Sequence, residues 1–135
     1  MPRPKRLRKV ITPPRFKGFK PYGYYGQEKE AVVMLMEELE VIRLLDYLGM
    51  TQEEAAGLMM ISRPTLTRVY EQARKKVATA FAEARTLVVE GGRVYFDQDW
   101  HRCLICNSTF NDPEKSPSAP ACPVCGSLHT EQFNV

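Results

Sequence analysis

The chain has 135 residues, 44% of them apolar and 26% charged, which allows one compact domain or two small ones and excludes wholesale disorder. Its net charge of +3 conceals an asymmetry: residues 1–20 carry eight basic side chains and no acid, while the remainder nets −5, and positive charge so concentrated suits a polyanion. No apolar run of about 18 residues is present, which excludes a membrane partner for a spanning helix, and prolines stand where a secretory signal needs its apolar segment, so the expected location is the cytoplasm.

Residues 1–27 hold five of the ten prolines and the cluster Tyr22-Gly23-Tyr24-Tyr25-Gly26. Proline fixes φ and removes a donor, so this stretch is expected to be an extended basic arm. Phe16, Phe19, Tyr22, Tyr24 and Tyr25 are candidates to dock it on the core. Arg3, Lys5, Arg6, Arg8 and Lys9 are its candidate phosphate contacts.

Residues 28–92 are expected to form a helical domain. Val33, Leu35, Met36, Leu39, Ile42, Leu44 and Leu45 follow helical spacing and predict a first helix from about residue 30 to 48. Thr51-Gln52-Glu53-Glu54 has the form of a capping box and predicts a second, short helix. Ser62 is a further N-cap, and Pro64 sits in the first turn of a third helix, where its missing donor does no harm. That helix is expected to run from about residue 63 to 87 with Leu66, Val69, Tyr70, Ala73, Val77 and Phe81 as its apolar stripe. Leu87-Val88-Val89 and Val94-Tyr95-Phe96 predict two short strands around the Gly91-Gly92 turn.

Two capped helices joined by a tight turn, the second opening with Arg and Thr, have the layout of a helix-turn-helix DNA reader. Leu66, Val69 and Ala73 are expected inward, against Ala55, Ala56 and Met59. Arg63, Thr65, Thr67, Arg68 and Gln72 are then left facing outward. Arg suits guanine, Gln suits adenine, and Thr suits a phosphate or a thymine methyl. Thr51, Gln52 and Ser62 lie at helix starts, whose amides favour phosphate oxygens. Arg74, Lys75 and Lys76 are expected on the DNA backbone.

On these residues the chain resembles a prokaryotic family known as domain of unknown function 134. The resemblance is carried by Arg3-Pro4-Lys5, Met36 to Leu44, Thr51 to Ala56, Ser62-Arg63-Pro64-Thr65, Ala73 to Ala78 and Glu90-Gly91-Gly92, and covers residues 2–92. That family's helical part is similar to region four of sigma factors. The resemblance implies a three- or four-helix domain whose last helix reads DNA. The family's turn usually has Gly where this chain has Met60. A side chain in the left-handed region costs on the order of 1 kcal/mol, so a different turn is expected here.

Residues 93–135 are expected to form a second unit, a small β-rich ribbon. Cys103-Leu-Ile-Cys106 and Cys122-Pro-Val-Cys125 lie 15 residues apart, and two such knuckles bring four thiolates into one tetrahedron, as in structural zinc sites. Asn107 and Gly126 follow the knuckles and tolerate the left-handed conformation such turns need. His101 and His129 are not required as ligands. Residues 111–121 are expected to be a surface loop. The segments Phe110 to Glu114 and Cys122 to Gly126, ending at Phe133, resemble a shortened rubredoxin, which implies a single iron that carries electrons. The loop here is shorter and the aromatic cluster of Trp100, Phe110 and Phe133 smaller, so one structural Zn2+ is expected, with iron as the alternative.

The sequence therefore predicts a mainly α fold, a sigma region-four-like helix-turn-helix followed by a β-rich zinc ribbon. It predicts a transcription regulator that binds double-stranded DNA, as a monomer or homodimer. The alternatives are a metal- or redox-responsive protein with a rubredoxin-like iron site, or an interaction module that contacts RNA polymerase. No nucleophile with a base, paired carboxylates or phosphate-cradling glycine loop is evident, so no enzyme is expected.

Overall fold

The computed structural model describes residues 7–11, 13–96, 99–111 and 119–132. Arg3, Lys5, Arg6 and Phe133 lie outside the described residues, as do 112–118 of the expected surface loop. In chain order the elements are β1 (Arg8–Lys9), β2 (Gly18–Phe19), β3 (Val32–Met34), α1 (Met36–Ile42) running on as a π-helical turn (Arg43–Tyr47), α2 (Gln52–Met59), α3 (Arg63–Glu83), β4 (Leu87–Val89), β5 (Val94–Tyr95), β6 (Trp100–Cys103), β7 (Thr109–Asn111) and β8 (Thr130–Gln132).

The mainly α expectation is corrected by these elements: among the described residues eight short strands form three small sheets around the helices, and the fold is mixed α and β. Periodicity could not separate the two classes here. Val32-Val33-Met34, which reads as the first turn of a helix, is a strand whose residues alternate buried, exposed, buried. A run of three apolar residues fits either period. β1 and β2 have no apolar alternation at all; they are strands because distant partners bond their backbones.

The strands expected on either side of Gly91-Gly92 both form, but they do not pair with each other. β4 lies between β2, antiparallel with Gly18 opposite Val88, and β3, parallel with Val32 opposite Leu87. β5 instead pairs in parallel with β1, Arg8 opposite Val94. The arm is thus threaded into the fold, and Val10 is fully buried. The chain turns between β4 and β5 against α1, where Gly91 accepts a hydrogen bond from the Met36 amide at 3.1 Å. Gly92 has φ 115°, which strains any side chain, and a Cβ there would lie 2.9 Å from Glu37 Oε1 and press on that buried carboxylate.

Helix α3 serves two cores. Its first half contributes Leu66 and Val69 to a helical core with Val41, Leu44, Ala55, Ala56 and Met59. Its second half contributes Ala73 and Ala80 to a core over the sheet, with Val32, Met34, Leu87, Val89, Val10 and Val94. Phe81, expected at the end of the stripe, is 77% exposed. At about 100° per residue, position 80 continues the inward row better than 81 does, and Ala80 takes the place.

Three buried acids hold these pieces together. Glu37, Glu38 and Glu40 of α1 are 1%, 3% and 2% exposed. Arg8 donates to Glu37 at 2.6 Å. Lys76 of α3 donates to Glu38 at 2.7 Å, and the same oxygen accepts from the Leu35 amide at the helix start. Glu40 accepts from the Ile11 amide at 2.8 Å and from Arg43 at 2.6 Å. Burying a carboxylate is costly unless it is paired and hydrogen-bonded, and each of these is both. We expect Glu40→Ala, which orphans the Ile11 amide and the Arg43 guanidinium, to lose about 2–4 kcal/mol of stability. Urea unfolding followed by circular dichroism measures it, and a midpoint equal to that of the unmodified chain would refute this account of the arm.

Candidate metal centre and nucleic-acid interface

The four cysteines converge as their spacing predicts. Cys103 closes β6, and the turn after it carries Cys106; the turn before β8 carries Cys122 and Cys125. The two knuckles repeat one backbone design. The Cys103 amide donates to the Ser108 carbonyl and the Cys122 amide to the Ser127 carbonyl, each at 2.9 Å. Asn107 and Gly126 adopt φ 64° and 76°, the left-handed conformation expected of them. Their amides donate back to the carbonyls of Cys103 and Cys122. Amides of Ile105 and Cys106 point at Cys103 Sγ, and that of Val124 at Cys122 Sγ, at 3.4–3.5 Å.

The sulfurs lie within 4.8 Å of one another, with Cys103–Cys125 at 3.5 Å and Cys106–Cys122 at 3.6 Å. A disulfide needs about 2.05 Å. A tetrahedron of thiolates at about 2.3 Å from a metal has edges of about 3.8 Å, so the arrangement fits a metal ion. The amide of Cys106 holds the Cys103 thiol below its usual range. The side chain and amide of Ser108 pull Cys106 down to about 6. At Cys125 the Ser127 amide pulls the same way, yet the neighbouring sulfurs of Cys103, Cys106 and Cys122 push it up to about 12. Four thiolates this close repel one another, and a cation among them relieves that repulsion. All four donors are protein sulfur, which leaves no position for a reactive water. His101 stacks on Phe110 with ring centroids 5.7 Å apart, and neither it nor His129 joins the cluster.

Among the described residues around these cysteines, only Cys103, Phe110 and Cys122 are buried together. So small a core does not fold a three-stranded sheet alone. Stripping the metal with a chelator is expected to make all four thiols reactive and to expose the amides of β6–β8 to exchange, while those of α3 stay protected. Four thiols that titrate at once in the untreated protein would contradict a resident metal.

The helical pair also matches the local expectations. Thr51 Oγ1 accepts from the Glu54 amide at 3.1 Å, and Ser62 Oγ from the Thr65 amide at 3.3 Å. Glu54 completes its box through the Thr51 hydroxyl, at 2.9 Å, rather than through the amide. Ala55, Ala56, Met59, Leu66, Val69 and Ala73 are all buried, as predicted. Arg63, Arg68, Gln72 and Lys75 are exposed, and Thr65 is half-buried beside Arg68, whose guanidinium donates to it at 3.3 Å. Thr67 donates across to Gln52 on α2 at 2.7 Å, locking the two helices together. Thr51 and Ser62 are exposed at the two helix starts.

Other expected contacts are engaged within the fold. Arg8 is held by Glu37, and Lys76 by Glu38. Lys9 lies half-buried in β1. Arg74 lies over the Tyr70 ring, and Tyr70 donates to Asp46 at 2.6 Å, a bond that raises the phenol above its usual range. The buried glutamates were invisible to apolar patterning; the only signal was the density of acids in Glu37-Glu38-Leu39-Glu40 beside apolar positions.

The turn keeps the left-handed conformation despite its residue: Met60 has φ 57°, and the Ile61 amide donates to the Ala56 carbonyl at 3.0 Å. The expected change of turn does not occur. The 64% exposed side chain buries little in return for the strain. Met60→Gly should therefore stabilise the protein by about 1 kcal/mol, seen as a raised melting temperature; a lowered one would show that the side chain earns its place.

Residues 1–97 match the model of a family described as protein of unknown function DUF134. Among similar proteins is a UPF0251 protein of Chloroherpeton thalassium, 43% identical over 135 residues, covering all of this chain and 89% of the relative. Another, from Methanothermobacter thermautotrophicus, is 38% identical and covers all of this chain and 68% of the relative. A third, from Thermoanaerobacter pseudethanolicus, is 46% identical over 105 residues, which are 76% of this chain and 89% of the relative. No solved structure matches the chain.

Proposed function

We propose that this chain, which belongs to the DUF134 family, binds double-stranded DNA in a sequence-dependent way as a transcription regulator. Helices α2 and α3 act as a helix-turn-helix, and the first two turns of α3 enter the major groove. The observation that carries this reading is the two-sidedness of α3. Leu66, Val69, Ala73 and Ala80 are buried on its inner side, while Arg63, Arg68, Gln72 and Lys75 are exposed on the other, covered by none of the described residues of the arm or the cysteine unit. Arg68 and Gln72 offer bidentate pairing to guanine and adenine, and Thr65 braces Arg68. Arg63, Lys75 and the helix starts at Thr51 and Ser62 take phosphates, as Arg3, Lys5 and Arg6 do from the N-terminus. The Gln52–Thr67 bond fixes the angle at which α3 is offered.

In this reading the four cysteines hold one Zn2+ whose work is structural. The closed all-sulfur donor set supports zinc and supplies no open coordination site.

Duplexes selected from a random pool provide the test. Arg68→Ala should weaken binding to the selected sequence by about 1–3 kcal/mol, with little effect on random duplex. Affinity for both should fall steeply as salt rises. A selection that enriches no sequence, or an Arg68→Ala protein that binds as tightly as the unmodified one, would overturn the assignment.

A further inference from the structure

The aromatic residues of the N-terminal segment do not dock as a group on the core. Phe16 does, half-buried against the sheet core, and its ring lies 4.7 Å from that of Phe19. Phe19 is 59% exposed, and Tyr22 and Tyr25 are 104% and 97% exposed. Arg15, Lys17 and Lys20 alternate with them and are exposed too. Between residues 15 and 27 there is no acid, and no Leu, Ile, Val, Met or Trp.

This loop is built rather than loose. β2 bonds its start to β4. Tyr24 folds back within the loop, its hydroxyl donating to the Gln27 carbonyl at 3.4 Å. Lys29 lies 5.9 Å from the centre of the Tyr24 ring. The Tyr24 ring lies directly over Gly26, where a Cβ would displace it. Lys29 also donates to the Glu83 carbonyl at 2.7 Å, which fastens the loop at the far end of α3 from Ser62. At 1.5 Å per residue those ends are about 30 Å apart. One tyrosine is thus spent on shaping the loop, and the two that flank it are turned outward.

We propose that the segment 15–27 is a second nucleic-acid site, a stacking platform for single-stranded DNA or RNA. Exposed aromatic rings interleaved with cations are what such a strand recognises, the rings stacking on bases and the cations tracking phosphates. Duplex DNA keeps its bases stacked and offers these rings nothing. Tyr, Phe and basic side chains also occur at membrane interfaces, but there they act from an amphipathic helix whose apolar face sinks into the acyl boundary, and residues 15–27 form no helix and carry no aliphatic side chain to sink. The site stands apart from the α3 strip and does not depend on the duplex reading.

The experiment titrates the full-length, metal-loaded chain against labelled oligothymidine and oligouridine of about 12 nucleotides, and against an abasic strand of equal length. Both base-bearing strands, or one of them, should bind more tightly than the abasic strand, and the preferred one names the source. Tyr22→Ala with Tyr25→Ala should lower that affinity at least tenfold, because each stacked base contributes about 1–3 kcal/mol. Tyr22→Phe with Tyr25→Phe should retain it. Both tyrosine variants should bind duplex as the unmodified chain does, whereas Arg68→Ala should show the reverse pattern, so the two sites fail separately. The proposal is overturned if the abasic strand binds equally well, or if the alanine variant is unaffected. It is also overturned if anionic phosphatidylserine vesicles, and not oligonucleotides, are bound through these tyrosines.

Discussion

The molecule depends on three carboxylates presented in different directions from one short helix. Glu37, Glu38 and Glu40 leave α1 toward the arm and the β4–β5 turn, toward α3, and toward Ile11 and Arg43. Apolar contacts alone would bury α1 as well, but they are non-directional and would not choose between one segment and another. A buried carboxylate accepts only the partner that brings its donor to the right place, and an absent partner leaves a charge in a dry interior. Three cations answer three anions, so the cluster is balanced where it is least hydrated.

Because Lys76 is the α3 partner of this cluster, the acids reach the surface that would meet DNA. Lys76 lies in the middle of a 21-residue helix whose first half packs on α1 and α2 and whose second half packs on the sheet. A continuous helix transmits orientation. The strip at Arg68 and Gln72 is therefore set by the helical core beneath it, by the Gln52–Thr67 bond beside it, and by the sheet farther along. The sheet in turn includes β2 from the N-terminal segment, so the arm is part of what aims the helix rather than an appendage that trails from it.

Which parts of this were legible in the sequence follows from the range of the interactions involved. The Thr51 and Ser62 caps, the buried row of Leu66, Val69 and Ala73, and the left-handed Asn107 and Gly126 after the knuckles are all settled within a few residues, and each was readable. The convergence of the cysteines was readable across 15 residues because metal chemistry constrains ligand spacing. What escaped is non-local. Arg8–Lys9 is a strand only because Val94–Tyr95 arrives beside it. Val32–Met34 is a strand rather than a helix start because Leu87–Val89 pairs with it. Lys76 looks like another phosphate contact in a basic run until Glu38, 38 positions earlier, takes it. Met60 went the other way: a different turn was expected from its side chain, and the left-handed turn is kept with φ 57°.

The charge asymmetry of the chain has a different meaning in the folded molecule from the one it has in the sequence. Of the basic residues at the start, Arg8 is turned inward to neutralise Glu37, while Arg15, Lys17 and Lys20, which follow β1 in the chain, are exposed among aromatic rings. A run that reads as one polyanion-binding arm is divided by a buried ion pair into a structural part and an exposed part. The exposed part sits at the end of α3 remote from Ser62, fastened there by Lys29 on the last turn of the helix. Positive charge is therefore offered in two places separated by the length of one helix, and the aromatic side chains accompany only one of them. The two surfaces differ in kind as well as in position: one is a helix face, proposed to enter the groove of a duplex, the other a turned loop, proposed to take bases that are already unstacked.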